Sequence, residues 1–158
     1  MALVALATAP LGLAGGKAGE IGMVTFHLER DGGDRDPKRV FTQMDDGKER
    51  IFGRTPEISM KDIVSFRPFP SGEGEQFGIV FMLSDAAKRR LNSISTAHQG
   101  KYLLAQANGR VVDGVVIDKP VNDGMIVIWK GLIDQDVKLF DKVLPRFGDD
   151  GKPVKKKK

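Results

Sequence analysis

The chain has 158 residues with 25 Lys+Arg, 21 Asp+Glu and no cysteine, enough for one domain with a sizeable core. Its formal charge of +4 is local: Lys152, Lys155, Lys156, Lys157 and Lys158 supply five of the 25 basic residues, leaving 20 against 21 acids in residues 1–151 and a body charge of −1. A surplus confined to one end argues against a globally basic nucleic-acid binder, and the missing cysteine excludes a disulfide scaffold, a thiolate metal site and a thiol nucleophile.

Residues 2–14 are apolar apart from Thr8 and uncharged, shorter than the roughly 20 residues that span a bilayer. They read as the apolar region of a secretory signal, with Ala7-Thr8-Ala9 as a small-x-small site but no basic residues ahead of it. A signal-like or disordered leader is expected over 1–18, and with it an extracytoplasmic location, the periplasm or cell envelope; the cytoplasm is the alternative. Met23–Glu29 alternates with Val24, Phe26 and Leu28 on one face, a half-buried strand on which His27 falls on the solvated side. Asp31–Pro37 is a polar loop, Val40–Met44 a second strand, and Asp46-Gly47 a turn into Arg50–Arg54, so residues 19–54 read as a small N-terminal β meander. Ser59 can cap a short helical turn through Ile63, and Phe66-Arg-Pro-Phe-Pro70 forces extended chain.

Gln76–Leu83 is a nearly continuous apolar run, suited to a strand covered on both faces. Ser84 can cap the next helix, where Ala87, Leu91 and Ile94 share a face, Lys88, Arg89 and Arg90 project into solvent and Gly100 follows the end. Tyr102–Ala107 and Val111–Ile117 flank Asn108-Gly109, a strong hairpin signal because both turn positions favour positive φ. Met125–Trp129 is another strand, and Asp134 caps a last helix that puts Val137, Phe140 and Leu144 on one face before Pro145. The expected class is α+β: a mostly antiparallel sheet with two main helices packed on it, beside the N-terminal meander. The expected organisation is the leader 1–18, the meander 19–54, an α+β domain 55–147 and a disordered Lys-rich tail 148–158, in which like charges repel and Pro153 blocks a helix.

The stretch Phe81-Met-Leu-Ser-Asp-Ala-Ala-Lys-Arg-Arg-Leu91 resembles the strand-to-helix segment in the head of the first extracytoplasmic domain of SecD/SecDF protein-export subunits. Gly100-Lys-Tyr-Leu-Leu-Ala105, Asn108-Gly-Arg-Val111, Pro120-Val121, Gly124, Ile126–Gly131 and the closing helix with Leu144-Pro145 are similar to further motifs of that head, and Pro56–Ile63 to its lead-in. The likeness covers about residues 55–147. Gly114-Val115 stand where the family commonly has Ala-Pro, Ala87 replaces a glycine and His98 an asparagine. The family's membrane spans, where its proton coupling lies, have no counterpart in the sequence. The resemblance therefore implies a SecD-head-like fold and a binding or conformational role toward polypeptide or an envelope protein. Its candidate contact is the exposed part of the first helix with the hairpin tip: Lys88, Arg89, Asn108, Gly109 and Arg110.

No catalytic residue, cofactor or metal is expected. His27 and His98 do not pair, and the serines include no Gly-x-Ser-x-Gly elbow. Asp31, Asp34 and Asp36 lack the glycine and closing glutamate of a calcium loop and read as turn formers. Gly72–Gly78 misses the dinucleotide glycine spacing and precedes a strand. Nucleic acid is not an expected partner of the body, since Lys88, Arg89, Arg90 and Lys101 lack an aromatic stacking motif. The principal expectation is a non-enzymatic exported binding module. The alternative is a cytosolic protein whose basic tail, Lys155, Lys156, Lys157 and Lys158, attracts nucleic acid or anionic membrane surface at about 1 kcal/mol per basic residue near lipid.

Overall fold

The computed structural model describes residues 23–148 and Lys152; the leader 1–18 and the run Lys155–Lys158 lie outside the described residues. The order is β1 (Val24–Leu28), β2 (Val40–Asp45), β3 (Lys48–Gly53), β4 (Ile58–Ser59), a 3-10 turn (Met60–Asp62), β5 (Ile63–Pro70), β6 (Phe77–Leu83), α1 (Asp85–Ala97), β7 (Tyr102–Ala107), β8 (Arg110–Val116), β9 (Met125–Leu132) and α2 (Asp134–Val143). The strands form three antiparallel sheets, ordered β4-β1-β7-β8, β5-β6-β9 and the hairpin β2-β3. The fold is α+β. What reads locally as a meander is divided: β2 and β3 pair with each other, whereas β1 is an inner strand of the four-stranded sheet. Strand alternation alone cannot show this, because β1's partner β7 lies far along the chain.

Alternation sets which face is buried. Val24, Phe26 and Leu28 face inward beside Ala107, Ala105 and Leu103 of β7, and Phe66, Phe81 and Ile126 line up across the second sheet. These two inner faces, with Ala87 and Leu91 of α1 and Val137 and Phe140 of α2, make one hydrophobic core. Four phenylalanines join its layers edge-on or tilted: Phe26 to Phe81 at 6.2 Å, Phe81 to Phe140 at 5.5 Å and Phe66 to Phe140 at 6.0 Å. Beyond α2 the chain returns to β5, where the Phe66 N–H donates to Pro145 O and Phe147 N–H to Phe66 O.

Local signals act as the residue chemistry requires. Both tight hairpins carry left-handed turn residues, Asp46 and Gly47 at φ 49° and 73°, Asn108 and Gly109 at 50° and 85°. Ser84 caps α1 by accepting from Ala87 N–H at 3.3 Å. Three expectations need correction. The N-cap of α2 is Ile133; Asp134 is its first helical residue, and Asp136 supplies the cap by accepting from Ile133 N–H at 2.9 Å. Arg90 is half-buried and donates to Asp62 Oδ1 at 2.9 Å instead of standing free in solvent. His27 is 6% exposed: the outer face of β1 is covered by the β2–β3 hairpin, an arrangement that only tertiary packing creates.

Candidate functional site

The five residues named from sequence fall into two separate groups. Lys88 and Arg89 are exposed on α1, and the stem of Lys88 packs against Gly124, just ahead of β9. The hairpin tip lies at the other end of β9, where the Arg110 guanidinium donates to Gly131 O at 3.3 Å. Seven residues of strand at ~3.3 Å each put the two groups about 20 Å apart. At the tip, Asn108 Nδ2 and Arg110 Nη1 donate to Asp136 Oδ1 at 2.8 and 2.9 Å, and Arg110 Nη2 donates to Asp136 Oδ2. Asp136 is 2% exposed. Burial works to raise its pKa, but the bonds from Arg110, the Ile133 N–H and Asn108 outweigh it and hold the carboxyl below its ordinary value. Asn108 and Arg110 thus fasten the tip to the start of α2, and Gly109 is exposed between them.

A different arrangement lies between the two large sheets. Each ends in an unpaired edge strand, β8 in one and β9 in the other, and no ladder joins them. They meet at one end, where Trp129 N–H donates to Asp113 Oδ2 at 2.9 Å. There Gly131, at φ +94°, sits so close to β8 that a Cβ would lie 2.3 Å from Val112 O. An irregularity in the β6–β9 register, between Ile79 opposite Ile128 and Phe77 opposite Leu132, carries β9 toward β8 at this point. Beyond Asp113 and Trp129 a cleft of about 370 Å³ opens between Val115–Asp118 and Met125–Val127. Phe26, Leu91, Leu103 and Ile126 from the core lie at its floor. At its rim Val116 is 44% and Trp129 58% exposed, an apolar surface open to solvent in this chain. The loop closing the cleft is pinned to α1, since Val121 N–H donates to Ser95 Oγ at 2.8 Å and Asn92 Nδ2 to Val121 O at 3.4 Å.

The cleft escapes a reading by pattern because Val111–Ile117 and Met125–Trp129 look like ordinary strands. The available signal is that Val115 and Val116, consecutive residues on opposite faces of an edge strand, are both apolar, and that the single tryptophan follows Ile128 on an exposed position.

The remaining candidates have partners within the fold. His27 Nδ1–H donates to Gly53 O at 2.8 Å, which leaves Nε2 to accept from the Thr25 hydroxyl at 2.9 Å, and Phe41 stands edge-on at 5.2 Å. Burial lowers its pKa against the raising effects of the Gly53 bond and of Glu57. Asp31 pairs with Lys101, while Asp34 and Asp36 accept from backbone N–H groups and Arg39. Among the described residues no cluster of three or more His, Cys, Asp or Glu could hold a metal ion, and no helix is long and apolar enough to cross a membrane.

No family model and no curated protein matches the chain. Solved structures do resemble it in fold. SecDF, a membrane component that enhances protein export, aligns at 14% identity and a TM-score of 0.51 over 74% of this chain and 58% of that one. SecDF in a super-membrane-facing form aligns at 17% identity and a TM-score of 0.51 over 73% of this chain and 17% of that one. The chain therefore spans little more than half of one structure it matches and a sixth of the other, and the likeness is one of fold: a SecD-like α+β arrangement.

Proposed function

We propose that the protein is a non-enzymatic, protein-export-related module, acting outside the cytoplasm, that binds polypeptide in the cleft between β8 and β9. The observation that carries this reading is the opening of the core at that cleft: apolar floor residues Phe26, Leu91 and Leu103 under a rim bearing exposed Val116 and Trp129. Such a surface fits the apolar side chains that an unfolded chain exposes and a folded one buries. The SecD-like fold supports the export setting. Lys88 and Arg89, exposed on α1, offer a second contact, whereas Asn108 and Arg110 serve the tip itself through Asp136.

Fluorescence anisotropy of a labelled, permanently unfolded protein tests this. Saturable binding is expected, weakened at least tenfold by Trp129→Glu and unchanged by removal of residues 152–158. Binding no stronger than that of the folded form of the same probe would overturn the reading; loss of binding with the tail would transfer it to the basic tail.

A further inference from the structure

We propose that the cleft takes its polypeptide as an added β-strand laid between β8 and β9, and that it selects an apolar stretch with a basic residue at its end. This rests on the polypeptide reading above and adds the conformation and charge of the occupant. The backbone directions carry the first part. Residues of an antiparallel ladder turn both N–H and C=O alternately toward one neighbour and the other. Ile117 donates to Lys101 O and accepts from Gly100 N–H, so its backbone faces β7 and that of Val116 faces the cleft. Across the cleft, Gly124 O accepts from Leu83 N–H on the β6 side, which turns Met125 and Val127 the other way. Further along, the Trp129 N–H also points to the β8 side, where it donates to the Asp113 carboxylate. Val116 and Val127 thus present backbone groups to each other from two strands that no ladder joins. An extended segment between them would satisfy both edges and merge the two sheets. A helix, whose backbone groups are bonded internally, could satisfy neither.

Charge complementarity carries the second part. The cleft's mouth holds Asp118 and Asp123, both exposed, against Lys119 alone in the same lining. Among the described residues neither aspartate has an ion-pair partner; the one bond recorded for Asp123 is that from Met125 N–H at 2.9 Å. A strand with apolar side chains toward the floor and Lys or Arg at the mouth fits this surface, and an acidic one is repelled.

Trp129 is the only tryptophan, so its emission reports occupancy. The intact protein is titrated with a synthetic octapeptide of alternating Val and Thr ending in two lysines. Parallel titrations use the same peptide N-methylated at every second residue, and a version ending in two glutamates. The expected result is saturable binding of the first, at least tenfold weaker binding of the N-methylated peptide, and a several-fold preference for the Lys over the Glu version that Asp118→Lys abolishes. Because the N-methyl comparison uses unaltered protein, folding defects cannot mimic it. Equal binding of methylated and unmethylated peptides overturns strand addition while leaving polypeptide binding intact, and equal binding of Lys and Glu versions overturns the charge selection. Failure of all three peptides, alongside binding of the unfolded protein probe, likewise overturns this inference alone.

Discussion

Asp136 shows how much one side chain can hold. It accepts from Asn108, Arg110 and the Ile133 N–H, joining a hairpin tip to a helix start while nearly out of solvent. Asp136→Ala leaves these donors unpaired and is expected to lower stability by about 1–3 kcal/mol in urea unfolding. Its lowered pKa adds a pH signature. The ionised carboxyl contributes stability above the ordinary value of 3.8, and the contribution is lost as pH falls through the lower folded value. The gap between the native protein and Asp136→Asn should therefore narrow in that acid range. His27 acts nearer neutrality. Its folded pKa lies below the ordinary value of 6.5, so the unfolded chain binds a proton first and stability falls as pH drops from 6.5 to the folded value. Urea midpoints at pH 8 and pH 5 should converge in His27→Asn, which keeps a donor for Gly53 O; an unchanged difference would mean that other groups set the pH dependence.

At the scale of elements, the irregular stretch of β9 at Trp129–Gly131 decides where the two sheets touch and where they part. Gly131 combines φ +94° with a position 2.3 Å from Val112 O for any added Cβ. Gly131→Ala should cost about 2–4 kcal/mol, the left-handed backbone and the backbone clash acting together. Gly109→Ala, at φ +85° in open space, should cost about 1–2 kcal/mol from the backbone alone. Equal losses in urea titrations of the two variants would show that the approach to β8 relaxes freely. Elements were the most legible level of the sequence. The Asn108-Gly109 turn, the Ser84 cap, the apolar run of β6 and the two helix faces depend on neighbours within a few residues, and local sterics act there without help from the rest of the fold.

Across the whole molecule, one core joins β1, β6, β7, β9 and both helices, while the β2–β3 hairpin lies outside that cluster, with Val40, Ile51 and Phe52 buried at its base. Its ties to the body include a bridge from Glu29 to Phe52, the Arg30 N–H to Ile51 O bond at 2.7 Å, the His27–Gly53 bond, the Phe41 ring against His27, the Glu29–Arg50 pair at 3.1 Å and Arg50 over the Tyr102 ring. Native-state hydrogen exchange should accordingly find amides of β1, β6 and β7 protected to the global limit and those of β2–β3 exchanging through an earlier, local opening. Uniform protection would show that the hairpin opens only with the core.

By itself the sequence determined the α+β class, the order of strands and helices from residue 76 onward, the two tight hairpins and the confinement of excess positive charge to the end. Each follows from alternation, helical periodicity, turn chemistry or counting, which act over short stretches of chain. Only the tertiary structure decided that β1 belongs beside β7, that the hairpin covers His27, that Arg110 binds Asp136, and that β8 and β9 part to leave a cleft. Partners distant in sequence create these features, and periodicity says which face of a strand is apolar without saying what lies opposite it. The candidate site depends on that second kind of information. Val116 and Val127 have ordinary strand patterns, and their significance comes from the unpaired edges that the two sheets turn toward each other.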